Sequence, residues 1–262
     1  MKNITVSEQH LDTPHGLIFI RQWELDESAK NDPIVLLHDS LGSVAQWRDF
    51  PEKIALATGH PVIAYDRAGF GQSSARNSLP SRQFISEEAE IAFPQIRQTL
   101  ELTDYYLLGH SVGGAMALLI ASEDSRCKGV ISIAAQAFVE ERTREGIRLA
   151  QQFFQDPDQF NRLGKWHGEK ARWVLSAWTE IWLSEDFADW SLIPELSQVH
   201  CPVLVIHGES DEYGSKAFPE TIRDQVFGPV QMAVIPDCAH MPHKEQPETV
   251  LNLISAFFNQ SE

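Results

Sequence analysis

The chain has 262 residues, 43% of them hydrophobic, which is enough for one sizeable core with at most a small added subdomain. Its formal charge of −16 argues against nucleic acid or an anionic membrane surface as a partner, because phosphate binding needs a basic face. The sequence contains no apolar stretch of membrane-helix length, no signal-peptide pattern and only three cysteines, which is too few and too odd a count for a disulfide framework. These features predict a cytoplasmic globular protein.

Strands and helices alternate along most of the chain. Two strands are predicted within residues 4–25, joined by a turn at 13–16 and followed by a loop at 26–32. Further strands are predicted at 33–38, 61–66, 105–108, 129–134, 201–208 and 230–235. Helices are predicted at 44–58, 86–102, from the 105–108 strand to about 122, at 215–225 and at 247–258. Because Pro94 falls inside the second of these helices, that helix is expected to kink or split.

This alternation predicts an α/β fold. Strands separated by helices form parallel βαβ units with right-handed crossovers, and the helices cover both faces of the sheet. We therefore expect a mostly parallel eight-stranded sheet flanked by helices. In such sheets, ligands bind at the carboxyl ends of the strands.

The alternation is interrupted by about sixty mainly helical residues. Helices are predicted there at 138–155 and 158–183, and the region carries five of the seven tryptophans. We expect a core of 1–135 and 199–262 with a helical cap, 136–198, inserted after the sixth strand. The aromatic rings pack the cap's own core or line a substrate pocket, and a single Trp is more typical of packing. The candidate pocket residues are Phe138, Trp166, Trp173 and Trp178.

Residues 109–113, Gly-His-Ser-Val-Gly, lie between the strand-like run and the helix-like run. This is the arrangement of a nucleophile elbow, in which a serine occupies a cramped strand-to-helix turn. Gly109 and Gly113 lack a Cβ and allow the close approach. The pentapeptide alone arises by chance in about one sequence in fifteen of this composition, so its position between a strand and a helix carries the argument. Ser111 is the predicted nucleophile.

A serine nucleophile needs a base and a carboxylate that orients the base. In chains with this elbow, the carboxylate residue, Asp or Glu, follows the serine in sequence, and the His follows the carboxylate residue. Asp211 lies just past the 201–208 strand, and His240 lies just past the 230–235 strand. We expect His240 to remove the Ser111 proton and Asp211 to hold the imidazole ring. Glu209 and Asp237 remain alternative carboxylates, and His243 remains an alternative base.

A developing oxyanion needs two preorganised N–H donors. The backbone N–H of Val112, directly after the nucleophile, is one candidate. The turn at 38–43 follows the 33–38 strand and would supply the other through the Ser40 N–H. No metal or cofactor is predicted, because the ten histidines are scattered and no ligand spacing occurs.

Together these motifs resemble the α/β-hydrolase superfamily, in its small lid-bearing branch of esterases, lactonases and carbon–carbon bond hydrolases. The resemblance covers nearly the whole chain and rests on 38–43, 66–73, 109–114, 208–211 and His240 with Glu245 and Pro247. A serine nucleophile disfavours the epoxide hydrolases and haloalkane dehalogenases of this fold, which use Asp. Two positions depart from the family pattern, since Asp39 stands where Gly is usual in the oxyanion turn and Ala239 stands where Gly commonly precedes the catalytic His.

The resemblance implies a cofactor-independent serine hydrolase that cleaves a small carboxylic ester, lactone or thioester through an acyl-enzyme on Ser111. Residues 40–42 with Trp47 are similar to 3-oxoadipate enol-lactonases, so an enol-lactonase, a carbon–carbon bond hydrolase or a lyase remains an alternative. A non-catalytic small-molecule receptor on the same fold is another. Anionic substrates would be favoured if arginines of the cap converge on the site; otherwise we expect neutral, short-to-medium acyl groups. The arginines of the predicted cap are Arg142, Arg144, Arg148, Arg162 and Arg172.

Overall fold

The computed structural model describes residues 3–14, 16–26 and 31–259, and it contains a single eight-stranded sheet. The strands are β1 Ile4–Thr13, β2 Gly16–Leu25, β3 Ile34–Leu37, β4 Val62–Tyr65, β5 Tyr105–His110, β6 Cys127–Ile133, β7 Val203–Gly208 and β8 Val230–Ile235. Their order across the sheet is β1-β2-β4-β3-β5-β6-β7-β8. β2 pairs antiparallel with β1 and with β4, and the remaining neighbours are parallel. The predicted mostly parallel sheet is confirmed.

β3 and β4 are hydrophobic and buried along their whole length because helices cover both faces of the sheet. All four residues of β3 are fully buried. The two strands predicted within 4–25 are present as β1 and β2, although His15 of the intervening turn and residues 27–30 of the next loop lie outside the described residues.

The helices lie on both faces of the sheet, and within the described chain none is long and apolar enough to cross a membrane. Their bounds are α1 Phe50–Thr58, α2 Phe84–Glu87, α3 Phe93–Thr99, α4 Val112–Glu123, α5 Glu141–Phe153, α6 Pro157–His167, α7 Ala171–Leu183, α8 Ile193–Leu196, α9 Ala217–Gln225, α10 Pro242–Glu245 and α11 Pro247–Asn259. The predicted helix 44–58 is in fact a 3-10 turn, Val44–Trp47, followed by α1. Pro51 lies in the first turn of α1, where its missing N–H costs nothing, and so favours a new helix start.

The predicted break near Pro94 is confirmed. α2 passes into a π-helical segment, Glu88–Ala92, which passes into α3. Pro94 provides no N–H and its ring crowds the carbonyl four residues earlier, so the regular α-helical pattern cannot continue through it. The wider π turn accommodates the proline without ending the helical path.

The chain between β6 and β7 folds into α5 to α8, and we call residues 136–198 the inserted segment. The helix predicted at 158–183 is divided into α6 and α7 at Gly168, which has a positive φ of 59°. His167 and Lys170, on either side of that glycine, bind the core. The His167 ring accepts the Gly71 N–H at 2.9 Å and lies 2.9 Å from the Leu41 carbonyl oxygen, while the Lys170 ammonium donates to backbone carbonyls of 70–73.

Candidate active site

Ser111 occupies the single residue between β5 and α4. Its φ and ψ are 57° and −126°, a strained backbone conformation for a residue with a side chain. The turn is too tight for larger residues at either glycine: a Cβ on Gly109 would lie 2.1 Å from the Gly113 oxygen, and one on Gly113 would lie 2.2 Å from the Leu37 oxygen. The local sequence therefore folds as a nucleophile elbow, with the Ser111 hydroxyl directed to the carboxyl edge of the sheet.

Ser111, His240 and Asp211 form one hydrogen-bonded series. His240 Nε2 lies 3.0 Å from Ser111 Oγ, and His240 Nδ1 lies 2.9 Å from each carboxylate oxygen of Asp211. Asp211 follows β7 and His240 follows β8, so the carboxyl ends of parallel strands bring these side chains together. In this arrangement the imidazole donates from Nδ1 to Asp211 and accepts the Ser111 proton at Nε2.

The alternative residues lie elsewhere. Glu209 is exposed and pairs with Lys216 at 3.0 Å, and Asp237 is exposed. His243 is buried, with its ring centroid 5.1 Å from that of Trp47 and 4.6 Å from that of His110. Neither carboxylate is placed to orient His240, and the His243 ring is packed among other rings, away from the nucleophile.

The two ionisable groups of the series stabilise each other's charge. Burial alone would lower the pKa of His240, but the hydrogen bond and charge of Asp211 outweigh it and raise that pKa above its usual value. Burial would raise the pKa of Asp211, but the hydrogen bond and charge of His240 lower it below its usual value. Asp211 also accepts the Tyr213 N–H at 2.8 Å. A carboxylate ionised at neutral pH thus faces the candidate base.

Asp211→Asn tests this electrostatic coupling. The base works only when neutral, so kcat/KM of the wild type should fall as the pH drops through the raised pKa of His240. Removing the Asp211 charge lowers that pKa and moves the acidic limb of the profile to lower pH. An amide facing Nδ1 also favours the wrong imidazole tautomer, so the maximal rate should fall about ten-thousandfold. The measurement is kcat/KM against pH for both proteins, and an unmoved acidic limb would contradict the assignment.

Asp39, in the position where Gly is usual, has its side chain turned into the oxyanion turn. Asp39 Oδ1 accepts the Leu41 N–H at 2.8 Å, and Oδ2 lies 3.1 Å from His110 Nδ1. Burial would raise the pKa of Asp39, but the hydrogen bond and charge of His110 hold it well below its usual value. The other ring nitrogen of His110 lies 2.8 Å from the His240 carbonyl oxygen. The carboxylate is thus compensated by His110, and it fixes the turn.

The same contacts leave the Ser40 N–H of the turn available. The Leu41 N–H is used by the Asp39 side chain, and the Gly42 N–H donates to the Asp39 carbonyl at 3.1 Å. The Ser40 N–H has no partner within the described residues, and Ser40 lines the same cavity as Ser111. Val112 begins α4, where the first N–H groups have no partner inside the helix. These two N–H groups remain the candidates for the oxyanion hole.

The loop that carries His240 is held by Glu245. Its two carboxylate oxygens accept the Ala239 N–H at 2.7 Å and the Met241 N–H at 2.9 Å, on either side of His240. Ala239 does not adopt a positive φ, so the glycine that is common at this position is not required by the backbone here. Cys238 is buried, and burial raises the pKa of its thiol to about 11, which keeps it a poor nucleophile.

A cavity of about 100 Å³, which we call the Ser111 chamber, surrounds the nucleophile. Of the four predicted pocket residues, only Trp178 lines it. Trp173 lines an adjoining cavity, while Phe138 and Trp166 line neither, so the pocket prediction does not hold for these two. Phe138 packs its ring against Phe218, with centroids 4.9 Å apart, and Trp166, on α6, is half-buried. The lining residues are Asp39, Ser40, Leu41, His110, Ser111, Gln136, Thr143, Ile147, Trp178, Trp182, Tyr213, His240 and Met241.

Comparison with known proteins decides the family. The model of the family described as "alpha/beta hydrolase fold" matches residues 32–247. The chain belongs to the α/β-hydrolase fold family. It is 26% identical to a proline iminopeptidase of Heyndrickxia coagulans, over 97% of this chain and 99% of that protein, and 26% identical to the serine hydrolase BPHL of Mus musculus, over 75% and 68%.

Solved structures share the fold. The 2-hydroxy-6-oxo-6-phenylhexa-2,4-dienoate hydrolase of Rhodococcus sp. strain RHA1 superposes with a TM-score of 0.79 at 16% identity, covering 98% of this chain and 100% of that one. At this identity the likeness concerns the architecture alone. The family match and its hydrolase relatives together support a hydrolase.

This α/β-hydrolase also places a residue at the nucleophile that the sequence reasoning missed. Gln136 is buried, and its side-chain Nε2 lies 3.1 Å from Ser111 Oγ. Gln136 follows β6, at the same sheet edge as the other site residues. Its position just after a predicted strand could have identified it as a candidate site residue from the sequence.

In the part of the chain that the structure describes, no group of three His, Cys, Asp or Glu side chains is arranged to hold a metal ion.

Proposed function

We propose that this α/β-hydrolase cleaves a small carboxylic ester, or a closely related lactone or thioester, through an acyl-enzyme on Ser111 and without a cofactor. The observation that carries the proposal is the series from Asp211 through His240 to Ser111, with contacts of 2.9 Å and 3.0 Å. Its partner would be a small molecule in the Ser111 chamber, and the inserted segment would act as a cap over a core of 1–135 and 199–262.

The acylation step follows from the hydrogen bonds. As Ser111 Oγ attacks the substrate carbonyl carbon, His240 Nε2 takes its proton and becomes an imidazolium that Asp211 stabilises. The carbonyl oxygen gains negative charge beside the N–H groups of Ser40 and Val112. His240 then gives the proton to the leaving oxygen or sulfur, and the acyl group stays on Ser111.

Deacylation repeats these steps with water. Neutral His240 accepts a proton from a water molecule as that water attacks the acyl carbon, and the same two N–H groups hold the oxyanion. When this second tetrahedral intermediate collapses, His240 returns the proton to Ser111 Oγ and the carboxylic acid leaves.

Neutral acyl groups are favoured because the arginines of the inserted segment do not converge on Ser111. The Arg142 side chain donates to the Asp211 backbone oxygen at 2.9 Å and so ties the inserted segment to the loop that carries Asp211. The others are engaged or exposed: Arg144 donates to backbone carbonyls of Leu183 and Ser184, Arg148 pairs with Glu141, Arg172 lies over the Phe160 ring, and Arg162 is exposed.

A series of 4-nitrophenyl esters tests the proposed function. Burying apolar surface contributes about 0.8 kcal/mol per methylene, so lengthening the acyl group from acetyl to butanoyl should raise kcat/KM about tenfold. The rise should stop when the chain meets the far wall of the chamber. A carboxylate-bearing lactone, measured beside the series, should be a poorer substrate. A strong preference for that lactone would instead favour an enol-lactonase.

A peptidase is the second candidate, because the curated relatives include proteins named proline iminopeptidase. An exopeptidase acting on an N-terminal residue needs an acceptor for the substrate's amino group. The carboxylates of the Ser111 chamber and its triad, Asp39 and Asp211, are each engaged with a histidine. We therefore expect proline 4-nitroanilide to be hydrolysed far more slowly than 4-nitrophenyl butanoate, and the reverse order would establish the peptidase.

Turnover and labelling of the wild-type protein distinguish the remaining alternative functions. A carbon–carbon bond hydrolase or lyase would turn over a diketone or β-hydroxy carbonyl compound while leaving simple esters nearly untouched. A receptor would bind small molecules without turnover and would resist labelling by a fluorophosphonate, whereas the proposed hydrolase should be labelled stoichiometrically on Ser111.

Gln136 should contribute to the same reaction. Its Nε2 donates to Ser111 Oγ at 3.1 Å, so it holds the hydroxyl for attack and stabilises charge on Oγ when the tetrahedral intermediate collapses. We expect Gln136→Leu to lower kcat about tenfold or more, since a hydrogen bond to a charged group is stronger than a neutral one. Stopped-flow acylation and the thermal unfolding midpoint separate this loss from misfolding. Unchanged kcat in a folded variant would exclude the role.

A further inference from the structure

A second cavity, of about 290 Å³, adjoins the Ser111 chamber. The two cavities share Ser40, Trp178 and Trp182 as lining residues, so they lie next to each other. We call it the Glu88 chamber. Most of its lining is apolar and includes the rings of Phe70 and Trp173.

Two buried charged side chains interrupt this apolar lining. Arg67, from the loop after β4, is 5% exposed, and Glu88, from the π-helical segment, is 8% exposed. Arg67 donates from Nη2 to the Asp39 carbonyl at 2.9 Å and lies over the Phe70 ring at 4.4 Å. Its Nε has no partner among the described residues. One oxygen of Glu88 accepts the Tyr65 hydroxyl proton at 2.6 Å.

Arg67 and Glu88 each affect the other's pKa, although no ion pair joins them in the described structure. Burial raises the pKa of the Glu88 carboxyl, and the charge of Arg67 only partly offsets this. Burial lowers the pKa of the Arg67 guanidinium, with the charge of Glu88 opposing it. Buried charges of opposite sign are normally in contact, because each is costly to bury alone. Here both side chains line the cavity and no ion pair between them is found among the described residues.

The helix is distorted at the position that brings Glu88 into this cavity. Glu88 begins the π-helical segment, and π turns are frequent at functional sites. On the same segment Glu90 is exposed, so the segment presents one carboxylate to the cavity and the other to solvent. Arg76, half-buried, also lines the chamber, whereas Glu87 is engaged by the Ser81 hydroxyl at 2.6 Å.

We propose that the Glu88 chamber binds a secondary amide of the substrate, with the amide oxygen accepting from Arg67 and the amide N–H donating to Glu88. A free carboxylate in this place would be repelled by Glu88, and an amine would be repelled by Arg67. A neutral group with an adjacent acceptor and donor satisfies both. The apolar walls accommodate the alkyl parts on either side. The proposal rests on the proposed function, since it makes this chamber the second half of the substrate site.

Binding to the Ser111→Ala variant tests the chamber without turnover. N-propylbutanamide and octan-4-one have the same chain length and differ in the N–H, and Trp173, Trp178 and Trp182 provide an intrinsic fluorescence signal at the site. We expect the amide to bind about tenfold more tightly than the ketone, as one charge-assisted hydrogen bond allows. Introducing Glu88→Met should abolish this difference, and the exposed Glu90→Gln should retain it.

A double variant controls for a loss of stability in Glu88→Met. Glu88→Met leaves the buried Tyr65 hydroxyl without its acceptor, so the double variant Tyr65→Phe with Glu88→Met removes both partners and should unfold at a temperature closer to that of the parent. It too should bind amide and ketone equally. Equal binding by the parent, or tighter binding of heptanoate or heptylamine than of the amide, would overturn the proposal.

Turnover is measured separately. Hydrolysis of 4-nitrophenyl butanoate by the wild type tests the proposed function alone, because this ester carries no amide. If it is hydrolysed while amide and ketone bind equally, the chamber proposal fails and the proposed function stands. If amide binding is selective while no ester, lactone or thioester is hydrolysed, the proposed function fails and the chamber remains an amide-binding site.

Discussion

Ser111→Ala should abolish ester hydrolysis while the protein stays folded. The Ser111 hydroxyl lies 3.0 Å from His240 Nε2, the base that activates it, and losing a triad nucleophile costs serine hydrolases about a millionfold in rate. Ser111 already has a strained backbone, φ 57°, and alanine tolerates that conformation no worse than serine, so the elbow should persist. The measurements are kcat/KM with 4-nitrophenyl butanoate, fluorophosphonate labelling and the thermal unfolding midpoint.

Ser122→Ala is the matched control for that variant. Ser122 lies on the same helix, α4, where its hydroxyl donates only to the Leu119 carbonyl at 2.7 Å. This variant should keep its turnover and its labelling. If Ser111→Ala retained more than a few per cent of wild-type turnover after purification, another group would have to be the nucleophile.

The sequence was sufficient to predict the fold and to place Ser111, Asp211 and His240 at strand ends, since the elbow motif and the alternation of strands and helices are both visible in the chain. Gly109 is required by contacts with Gly113 and Gly114, close to it in the chain, whereas Gly113 is required by the distant Leu37 backbone, and both positions are recognisable because the elbow motif fixes their spacing around Ser111. The alternation of strands and helices places every strand end at a common edge, which brings distant residues such as Asp211 and His240 together. The break at Pro94 is likewise a property of the proline itself.

The side-chain contacts across the inserted segment could not be predicted in the same way. Phe138 and Trp166 are aromatic, as pocket residues often are. The direction in which each ring faces, however, depends on how α5 to α8 pack against one another and against the core. No periodicity in the sequence records that packing. The pairing of Asp39 with His110 has the same origin, because it joins residues from two strand ends through rotamers that only the folded chain selects.

His240→Ala should lose nearly as much activity as Ser111→Ala, and His243→Ala should lose far less. His240 accepts the Ser111 proton across 3.0 Å, so without it the nucleophile has no base and the rate should fall about a millionfold. His243 instead packs between Trp47 and Phe50, and burial holds its pKa well below the usual value, so it remains a neutral packing residue.

Truncating His243 should therefore reduce stability rather than catalysis, by about 1 to 3 kcal/mol of unfolding free energy, as is typical of a buried side chain. The comparison needs kcat/KM and urea unfolding for both variants under identical conditions. His240→Ala should be inactive at temperatures where it is still folded, while His243→Ala should unfold earlier than the wild type and stay active below its transition. If the two activity losses came out in the reverse order, His243 would be the base, and the 3.0 Å contact between His240 and Ser111 would be structural only.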